Sequence, residues 1–527
     1  MPNDPDTSID KPKTLVRSGL LFSALTFVSR ILGFVRDQVF AIVFGAGAMT
    51  DAFVVAFKIP NFFRRLFGEG AFAQAFVPVF TEYKEKRDFA ALRDLAVHVS
   101  GTLGGVLLLI TTLGVAGAPL VVMLFAPGFV DDAERFDMAT DMLRWTFPYL
   151  LFISLVAYAG GILNSHGKFG IPAFTPVLLN ICLIAAALGF ADQADPPIMA
   201  MAIGVFVAGV VQLGFQLPFL AQLNLLPMPR WDWAHEGVRK IFKLMLPALF
   251  GSSVAQISIL LDTILASFLI TGSMTWLYLS DRLVEFPVGI FGVALGTVIL
   301  PRLSQLHAQE NPQQFNRTLD IGLRLGVLIG LPSTLGLVLL AEPVILTLFG
   351  YGAFTANDAK MASLSLSAYA LAITPFILIK VLAPGFYSRQ DTTTPMKIGV
   401  TALSIKMVLS LAIVIPMVQM EFHAPHVGLA VATAIFAWVH MAMLLHGLRK
   451  RSIYNPQAGW LKYIVVALLG VACLGAAVIA INPAMDFWIS ASFWTRGLWT
   501  LMLVALACLV YAAVLLICGL RPRQFRQ

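Results

Sequence analysis

The chain has 527 residues, of which 58% are hydrophobic and only 12% are charged, with a formal net charge of +7. Soluble domains carry about 25% charged residues, so this composition excludes a water-soluble globular protein. A mean hydropathy of +0.83 at this length predicts a polytopic membrane protein with spans of roughly 20 residues each. In such a chain the excess of Lys and Arg mostly records membrane topology, so it does not indicate nucleic-acid binding.

The succession of apolar runs predicts the fold class. We expect an all-α polytopic membrane protein with about fourteen transmembrane helices. Lys and Arg fall in alternate loops, whereas the loops between them are nearly free of both. Because cytoplasmic loops carry the basic excess, both termini are predicted to be cytoplasmic. The predicted spans are 18 to 43, 51 to 81, 95 to 126, 138 to 163, 171 to 191, 198 to 222, 243 to 270, 275 to 301, 319 to 349, 361 to 386, 397 to 418, 426 to 446, 461 to 482 and 495 to 518.

Short motifs recur at an offset of roughly 225 residues, which indicates an internal repeat. The sequence GAMT at 47 to 50 matches GSMT at 272 to 275, and LFAPGF at 124 to 129 matches LFGYGAF at 348 to 354. We therefore predict two pseudo-symmetric six-helix lobes in the same orientation, with a cleft between them, and a helix pair outside the repeat. The predicted domains are an N-lobe at 1 to 225, a C-lobe at 226 to 450 and the C-terminal helix pair at 451 to 527.

The stretch from 29 to 83 carries many charges through otherwise apolar helical sequence. Charged side chains are costly in hydrocarbon, so they are kept where they pair or where they face a water-filled cavity. A spacing of seven residues is nearly two helical turns, which places Arg30 and Asp37 on one helical face. The alternative is that these groups lie at helix ends and extend to the lipid headgroups. The charged residues are Arg30, Arg36, Asp37, Asp51, Lys58, Arg64, Arg65 and Glu69.

Helix-breaking residues accompany these charges. Pro60, with Gly68 and Gly70 further on, is expected to kink or interrupt the second helix. Transporters place discontinuous helices of this kind around a binding site. The interruption therefore favours the cavity interpretation for the charges.

The second half contains a shorter charged element, DRLVEFP, at 281 to 287. Arg282 and Glu285 lie at i and i+3, so one helical face presents a cation beside an acid. An ion pair within the helix would satisfy both groups without any function. Because Arg282 falls in the span equivalent to that of Lys58, we predict that it faces the cavity.

Other motifs restrict the chemistry. Asp262 lies in the middle of a predicted span, as a candidate proton or sodium site or as the partner of Lys406 or Lys380. The sequence contains no P-loop, HExxH motif, serine triad or Cys/His ligand set, and its four cysteines lie in apolar runs without disulfide or metal spacing. A transporter without a cofactor is therefore predicted, rather than an enzyme.

Four longer motifs resemble a known family. They are SRILGFVRD from residue 29, TDAFVVAFKIPNFFRRLFGEGAFAQAFVPVF from residue 50, DRLVEFPVGIFGVALGTVILP from residue 281 and YSRQDTTTP from residue 387. All four are similar to motifs of the MurJ (MviN) lipid II flippases of bacteria, which belong to the multidrug/oligosaccharidyl-lipid/polysaccharide exporter superfamily. The resemblance covers nearly the whole chain.

This resemblance implies a multi-pass protein of the bacterial inner membrane. Its expected activity is alternating-access translocation of lipid II, the undecaprenyl-diphosphate-linked peptidoglycan precursor, from the cytoplasmic to the periplasmic leaflet. That activity belongs to cell wall biogenesis and supports cell shape. The C-terminal pair is expected to form a groove for the polyprenyl tail. By motif, the expected substrate-binding positions are Arg30, Arg36, Asp51, Lys58, Arg64, Glu69, Arg282 and Glu285.

The charge of the substrate suggests an energy source. Moving two negative charges outward across a membrane with an inside-negative potential of about 100 mV releases on the order of 4 to 5 kcal/mol. We expect the membrane potential to assist transport, with Asp262 as the candidate for a coupling ion, Na⁺ or H⁺. The expected partners are lipid II, membrane lipids and the cell-wall synthesis machinery, and no nucleic acid.

Three alternatives remain open at the level of sequence. A flippase for O-antigen or another polyprenyl-linked glycan shares the electrostatic logic. An ion-coupled exporter of cationic drugs is permitted by the superfamily fold, although its cleft should be rich in acids and aromatics rather than arginine. A scaffold for a cell-wall complex has no reason to keep charges along its inner spans.

Overall fold

A computed structural model describes residues 12 to 65, 72 to 226 and 228 to 520. Throughout these ranges the regular elements are helices, which confirms the predicted all-α membrane fold. The helices up to residue 222 are α1 (Pro12–Phe44), α2 (Ala48–Phe63), α3 (Ala73–Lys86), α4 (Phe89–Ala116), α5 (Ala118–Phe125), α6 (Ala133–Thr146), α7 (Tyr149–Ser165), α8 (Gly170–Gly189) and α9 (Met199–Gln222). The later ones are α10 (Glu236–Ser267), α11 (Ser273–Pro287), α12 (Val293–Ala308), α13 (Pro312–Leu339), α14 (Ala341–Phe349), α15 (Ala356–Ala370), α16 (Ile373–Tyr387), α17 (Thr393–Gln419), α18 (Val427–Lys450), α19 (Trp460–Ile481), α20 (Met485–Ser490) and α21 (Phe493–Ile517).

Polar side chains define several helix starts. The carboxylate of Asp88 accepts the N–H of Ala91 at 3.0 Å and caps α4. Asn311 caps α13 in the same way, and Pro312 follows it at the first helical position, where its missing N–H costs nothing. Thr355 and Asp358 form a reciprocal capping box at the start of α15. These local signals end the polar loops and begin the apolar helices.

Eleven helical stretches among the described residues are long and apolar enough to cross a membrane. Three predicted spans are not among the eleven, and they overlap α1, α2 together with α3, and α10. The α1 and α10 helices contain 33 and 32 residues. The eleven apolar stretches establish a multi-pass membrane protein, while the count of fourteen spans stays a prediction.

The chain divides into two compact units. The first comprises Met1–Phe44 and Ala48–Ile264, and the second comprises Gly45–Gly47 and Leu265–Gln527. Most of α10 thus groups with the first unit, whereas the repeat in the sequence would place α10 at the start of the second half. The lobe boundary after residue 225 and the separate domain from residue 451 stay predictions.

The order of helices repeats along the chain. In the first half α2 leads into π-helical residues 64 and 65, and in the second half α11 leads into the π-helical turn Val288–Gly292. A long helix followed by a short one comes next in both halves, as α4 with α5 and as α13 with α14. Because π-turns are often found at functional positions, these two interruptions favour a functional role for the charged segments beside them.

Small and polar residues bring the helices of the first unit close together. Gly33 of α1 lies against Asn180 of α8, where an added Cβ would be 3.7 Å from the amide nitrogen. Gln212 of α9 donates to the backbone oxygen of Thr175 in α8 at 2.9 Å. Close approach of this kind is how helices associate in a membrane, where burial of apolar groups gives little preference for other helices over lipid.

The second unit contains a cluster of buried apolar residues between α12, α13, α16 and α18. Leu303, Leu319, Phe386, Leu444 and Leu448 are fully buried in it. Their side chains interdigitate because apolar residues recur along the facing stripes of these helices. Tight packing here fixes α13, which contacts α19 and α21.

The connection between α9 and α10 lies against α4. The N–H of Arg230 donates to the backbone oxygen of Val97 at 3.2 Å, and the hydroxyl of Thr102 contacts the backbone of Asp232 at the same distance. Gly101 permits this approach, because a Cβ there would lie 2.2 Å from the backbone oxygen of Arg230. The connection is therefore a packed strap rather than a loose linker.

Candidate functional site

The charged residues of α1 differ sharply in their surroundings. Arg36 and Asp37 are buried, with 6% and 3% exposure, and the Arg36 Nη2 atom lies 2.6 Å from the Asp37 carboxylate. Arg36 also donates from Nη1 to the side-chain oxygen of Asn180 at 3.1 Å. Asn180 in turn donates to the backbone oxygen of Ser29 at 3.1 Å. This network ties α1 to α8.

Arg30 has the opposite character. Its side chain is exposed, and no ion pair is found for it among the residues that the structure describes. The predicted shared face of Arg30 and Asp37 therefore runs from an exposed end to a buried one. A guanidinium in this position keeps its donors available for a ligand.

The charged residues of α2 and of the two π-helical residues that follow it show a similar gradient. Asp51, in the first turn of the helix, is fully buried, Lys58 is half-buried, and Arg65 is exposed. Arg64 is half-buried and donates from Nε to the side-chain oxygen of Asn61 at 3.1 Å. The burial of these charged side chains thus decreases from Asp51 to Arg65, toward the interrupted segment.

The interruption of the second span is only partly described. Pro60 lies inside α2, which continues to Phe63, so this proline does not end the helix. The expected positions Glu69, Gly68 and Gly70 lie outside the described residues. The helical chain resumes at Ala73 as α3.

In the second unit, Arg282 lies on α11 beside the π-helical turn. Its Nη1 atom donates to the Glu285 carboxylate at 2.9 Å, with 34% and 55% of the two side chains exposed. The guanidinium also lies over the ring of Tyr278, 5.6 Å from the centroid. The intrahelical ion pair considered from the sequence is therefore present, and both of its side chains are partly exposed.

The isolated ionisable groups of the later spans fall in different environments. Asp262 is half-buried on α10, Lys406 is buried on α17, and Lys380 is exposed on α16. The ammonium of Lys406 lies 5.8 Å from the ring centroid of Phe436. The assignment of Asp262 to a coupling ion stays a prediction.

Sequence reasoning missed the neutral partners of the arginines. Asn180 and Asn61 each accept a hydrogen bond from an arginine, and Tyr278 supplies a cation–π contact. A signal for Asn180 was present, because it is a single amide within the apolar run PVLLNICLI. A polar residue in such a run is expected to have an intramembrane partner.

Asp94, His98 and His235 form a group whose ligand atoms lie within 4.8 Å of one another. The Nδ1 atom of His235 accepts the N–H of Gly237 at 3.1 Å, so Nε2 carries the proton toward Asp94 at 3.2 Å. A metal bound at Nε2 would move that proton to Nδ1, where it would face an N–H donor. Metal-bound histidines instead donate from their other nitrogen, so this group is better suited to tethering the strap than to binding a metal.

Comparison with known proteins identifies the family. The family model "Lipid II flippase MurJ" matches residues 40–499. A protein of Haemophilus influenzae described as "Probable lipid II flippase MurJ" is 46% identical over 510 residues, covering 94% of this chain and 98% of the relative. A Burkholderia cenocepacia protein described as "Lipid II flippase MurJ" is 40% identical, covering 97% of this chain and 99% of its own.

Solved structures agree with the sequence comparisons. A structure described as "Lipid II flippase MurJ, inward closed conformation" matches with a TM-score of 0.77 and 25% identity, covering 94% of this chain and 98% of that one. An inward-facing multidrug resistance MATE transporter of the MOP superfamily matches with a TM-score of 0.63 and 13% identity, which shows a shared fold alone. Proteins of the matched family are flippases, and so transporters rather than enzymes. This chain belongs to the lipid II flippase MurJ family.

Proposed function

We propose that this protein translocates lipid II from the cytoplasmic to the periplasmic leaflet of the bacterial inner membrane by alternating access, with both termini in the cytoplasm. One observation carries the proposal. The family model spans residues 40–499, and relatives described as lipid II flippases are 46% and 40% identical over nearly the whole chain. The similarity therefore extends over nearly the whole chain and is not limited to one domain or motif.

The substrate chemistry explains why this chain keeps arginines within apolar helices. Lipid II presents a diphosphate, and guanidinium groups stay charged and donate in a planar fork that matches phosphate oxygens. In the low-dielectric surroundings of the spans such hydrogen bonds are stronger than in water. We assign the diphosphate contacts to Arg30, Arg64 and Arg282. Asp51, Lys58, Glu69 and Glu285 would set the charge balance around them.

Arg36 takes a different role in this proposal. Its guanidinium is buried against the Asp37 carboxylate and bonds Asn180 on another helix. Separating a buried pair leaves a charge without compensation, at a cost of roughly 3–5 kcal/mol. We therefore assign Arg36 to holding α1 against α8, so that Arg30 stays correctly placed.

The pairing of Arg282 with Glu285 does not prevent ligand binding. The two side chains are 34% and 55% exposed. Exposed pairs contribute about 1 kcal/mol or less, so a diphosphate carrying more charge could replace the carboxylate. Glu285 would then compete with the substrate and assist its release.

The energy source in this proposal is the membrane potential. Carrying two negative charges outward releases on the order of 4 to 5 kcal/mol at about 100 mV, which requires no ATP site. The empty, positively charged protein returns with the same field. A coupling ion at Asp262, Na⁺ or H⁺, would add to this driving force.

The test is depletion of the protein in its host, followed by measurement of the lipid II fraction in each leaflet. We expect lipid II to accumulate in the cytoplasmic leaflet. Arg30→Glu and Arg282→Glu should fail to restore translocation while remaining at normal levels in the membrane fraction. Arg302→Glu is the matched control, because Arg302 is exposed and bonds only neutral glutamine side chains among the described residues, Gln305 at 3.0 Å among them.

Retained flipping in both charge-reversed variants would contradict the arginine mechanism. An unchanged lipid II distribution, together with lost resistance to cationic drugs, would favour a drug exporter. Accumulation of another polyprenyl-linked glycan on the cytoplasmic side would instead identify that glycan as the substrate.

A further inference from the structure

Asp320 is a buried carboxylate on α13 with three hydrogen-bond donors from the segment that leads into α19. It is 1% exposed. The hydroxyl of Tyr454 and the indole N–H of Trp460 each donate to its Oδ1 atom at 2.7 Å, and the backbone N–H of Gln457 donates to the same atom at 3.2 Å. A buried carboxylate is stable only when such partners replace its hydration.

Arg324, one turn later on α13, completes the network. Its Nε atom lies 2.7 Å from the other carboxylate oxygen of Asp320, and Nη2 donates to the backbone oxygen of Ala458 at 3.0 Å. The guanidinium also lies over the rings of Trp460 and Tyr463, at 5.4 and 5.5 Å from the centroids. One charge pair on α13 therefore binds the start of α19 through side chains, backbone and aromatic rings.

The beginning of α21 is held by a buried cation, Arg496. It is 6% exposed and donates from Nη1 to the backbone oxygens of Leu346 and Gly350, at 3.0 and 2.8 Å. These two carbonyls lie at the end of α14, where a cation is favoured, and the Leu346 oxygen also accepts the N–H of Gly350 at 3.1 Å. Arg496 also contacts the ring of Tyr351, 4.9 Å from the centroid.

Close packing connects the two attachments. Gly475 of α19 lies against α13, where an added Cβ would be 3.1 Å from Leu335. The hydroxyls of Thr347 on α14 and Thr500 on α21 are 2.9 Å apart. The C-terminal helices thus contact α13 and α14 from one end of the pair to the other.

We propose that Asp320 and Arg496 are positioning residues that attach the two ends of the C-terminal helix pair, α19 to α21, to α13 and α14. The pair then moves with these helices as one rigid body. Taken together with the proposed function, on which this step depends, the attachment keeps any lipid surface of the pair in a fixed orientation to α13 and α14 during transport. Release of either end would uncouple the pair from the transport cycle.

The experiment measures spin-label distances at each end of the pair by pulsed electron paramagnetic resonance. The four native cysteines, which are free, are first replaced by serine. Labels at the exposed positions Gln313 and Leu461 report on the Asp320 end, and labels at the exposed positions Asn357 and Trp494 report on the Arg496 end. Each label pair acts as the control for the variant at the other end.

Asp320→Ala should broaden the distance distribution only at its own end, and Arg496→Ala only at the other. Asp320→Asn keeps a hydrogen-bond acceptor but loses the charge, so it should broaden the distribution less and provides a well-folded test if the alanine variant is not recovered. Unchanged distributions in the variants, or equal broadening at both ends from one change, would overturn the proposal.

Lipid II translocation is measured with the same variants in vesicles containing lipid II. Broadened distances with reduced translocation support the coupling, whereas broadened distances with full translocation refute it. If even the unsubstituted protein moves no lipid II, the proposed function fails, while the distance measurements still decide whether the two attachments exist.

Discussion

Removal of the Asp37 carboxylate is the most direct test of the network in α1. The Arg36–Asp37 pair has an N–O distance of 2.6 Å, and its side chains are only 7% and 4% exposed. Asp37→Ala leaves the Arg36 guanidinium buried with Asn180 and the Phe57 ring, whose centroid is 5.6 Å away. Breaking a buried pair in this way costs roughly 3–5 kcal/mol, because burial prevents water from replacing the lost carboxylate.

The measurement is the free energy of unfolding in mixed micelles with increasing SDS. Asp141→Ala is the matched control, because the Arg144–Asp141 pair has a similar N–O distance of 2.8 Å but its side chains are 49% and 56% exposed. The control should lose about 1 kcal/mol or less. Replacing Arg36 and Asp37 together by Met and Leu should restore most of the stability, since the buried guanidinium and its carboxylate are then removed together. Equal losses for Asp37→Ala and Asp141→Ala would refute this reasoning.

Two further predictions concern a contact between α4 and the strap and a carboxylate in a later loop. Gly101→Ala should destabilise the protein by about 1–3 kcal/mol, because its Cβ would lie 2.2 Å from the backbone of Arg230. Gly104→Ala is the control, because its Cβ would have no neighbour closer than 4.0 Å, and it should be nearly neutral in the same unfolding assay. Hydrogen bonds from Thr394 hold the pKa of Asp391 below its ordinary value. Asp391 therefore stabilises the fold above the ordinary carboxyl pKa of about 3.9, and that contribution disappears as the pH falls through the lowered value. The difference in melting temperature between the unsubstituted protein and Asp391→Asn should accordingly vanish on acidification, and a difference that persists unchanged at low pH would contradict this assignment.

Part of the candidate site could be predicted from the sequence. Charges within apolar runs identified Arg30, Arg36, Arg64 and Arg282, because ionisable residues are rare and costly in membrane spans. The i and i+3 spacing also indicated the ion pair between Arg282 and Glu285, which the structure contains. Spacing did not distinguish the exposed Arg30 from the buried Arg36, since both lie in the same apolar helix.

The hydrogen-bonded networks depended on the tertiary structure. Arg36 and Asn180 are 144 residues apart in the chain, and Asp320 and Trp460 are 140 residues apart. Helical periodicity relates residues only within a few turns, so it contains no information about partners at such separations. Helix packing decided the partners that are distant in the chain, such as Asn180 for Arg36 and Trp460 for Asp320.

By itself, the sequence determined the all-α multi-pass fold and the family, because apolar length and long motifs are local properties of the chain. The tertiary structure decided which charges are neutralised and which stay accessible. Neighbouring helices enclose Arg36 and Asp320 and supply hydrogen-bond partners to both, whereas Arg30 is exposed and the Arg282 side chain is 34% exposed. The physical reason is that the effective charge of a side chain depends on the polar partners and water around it, which are fixed only when the helices pack.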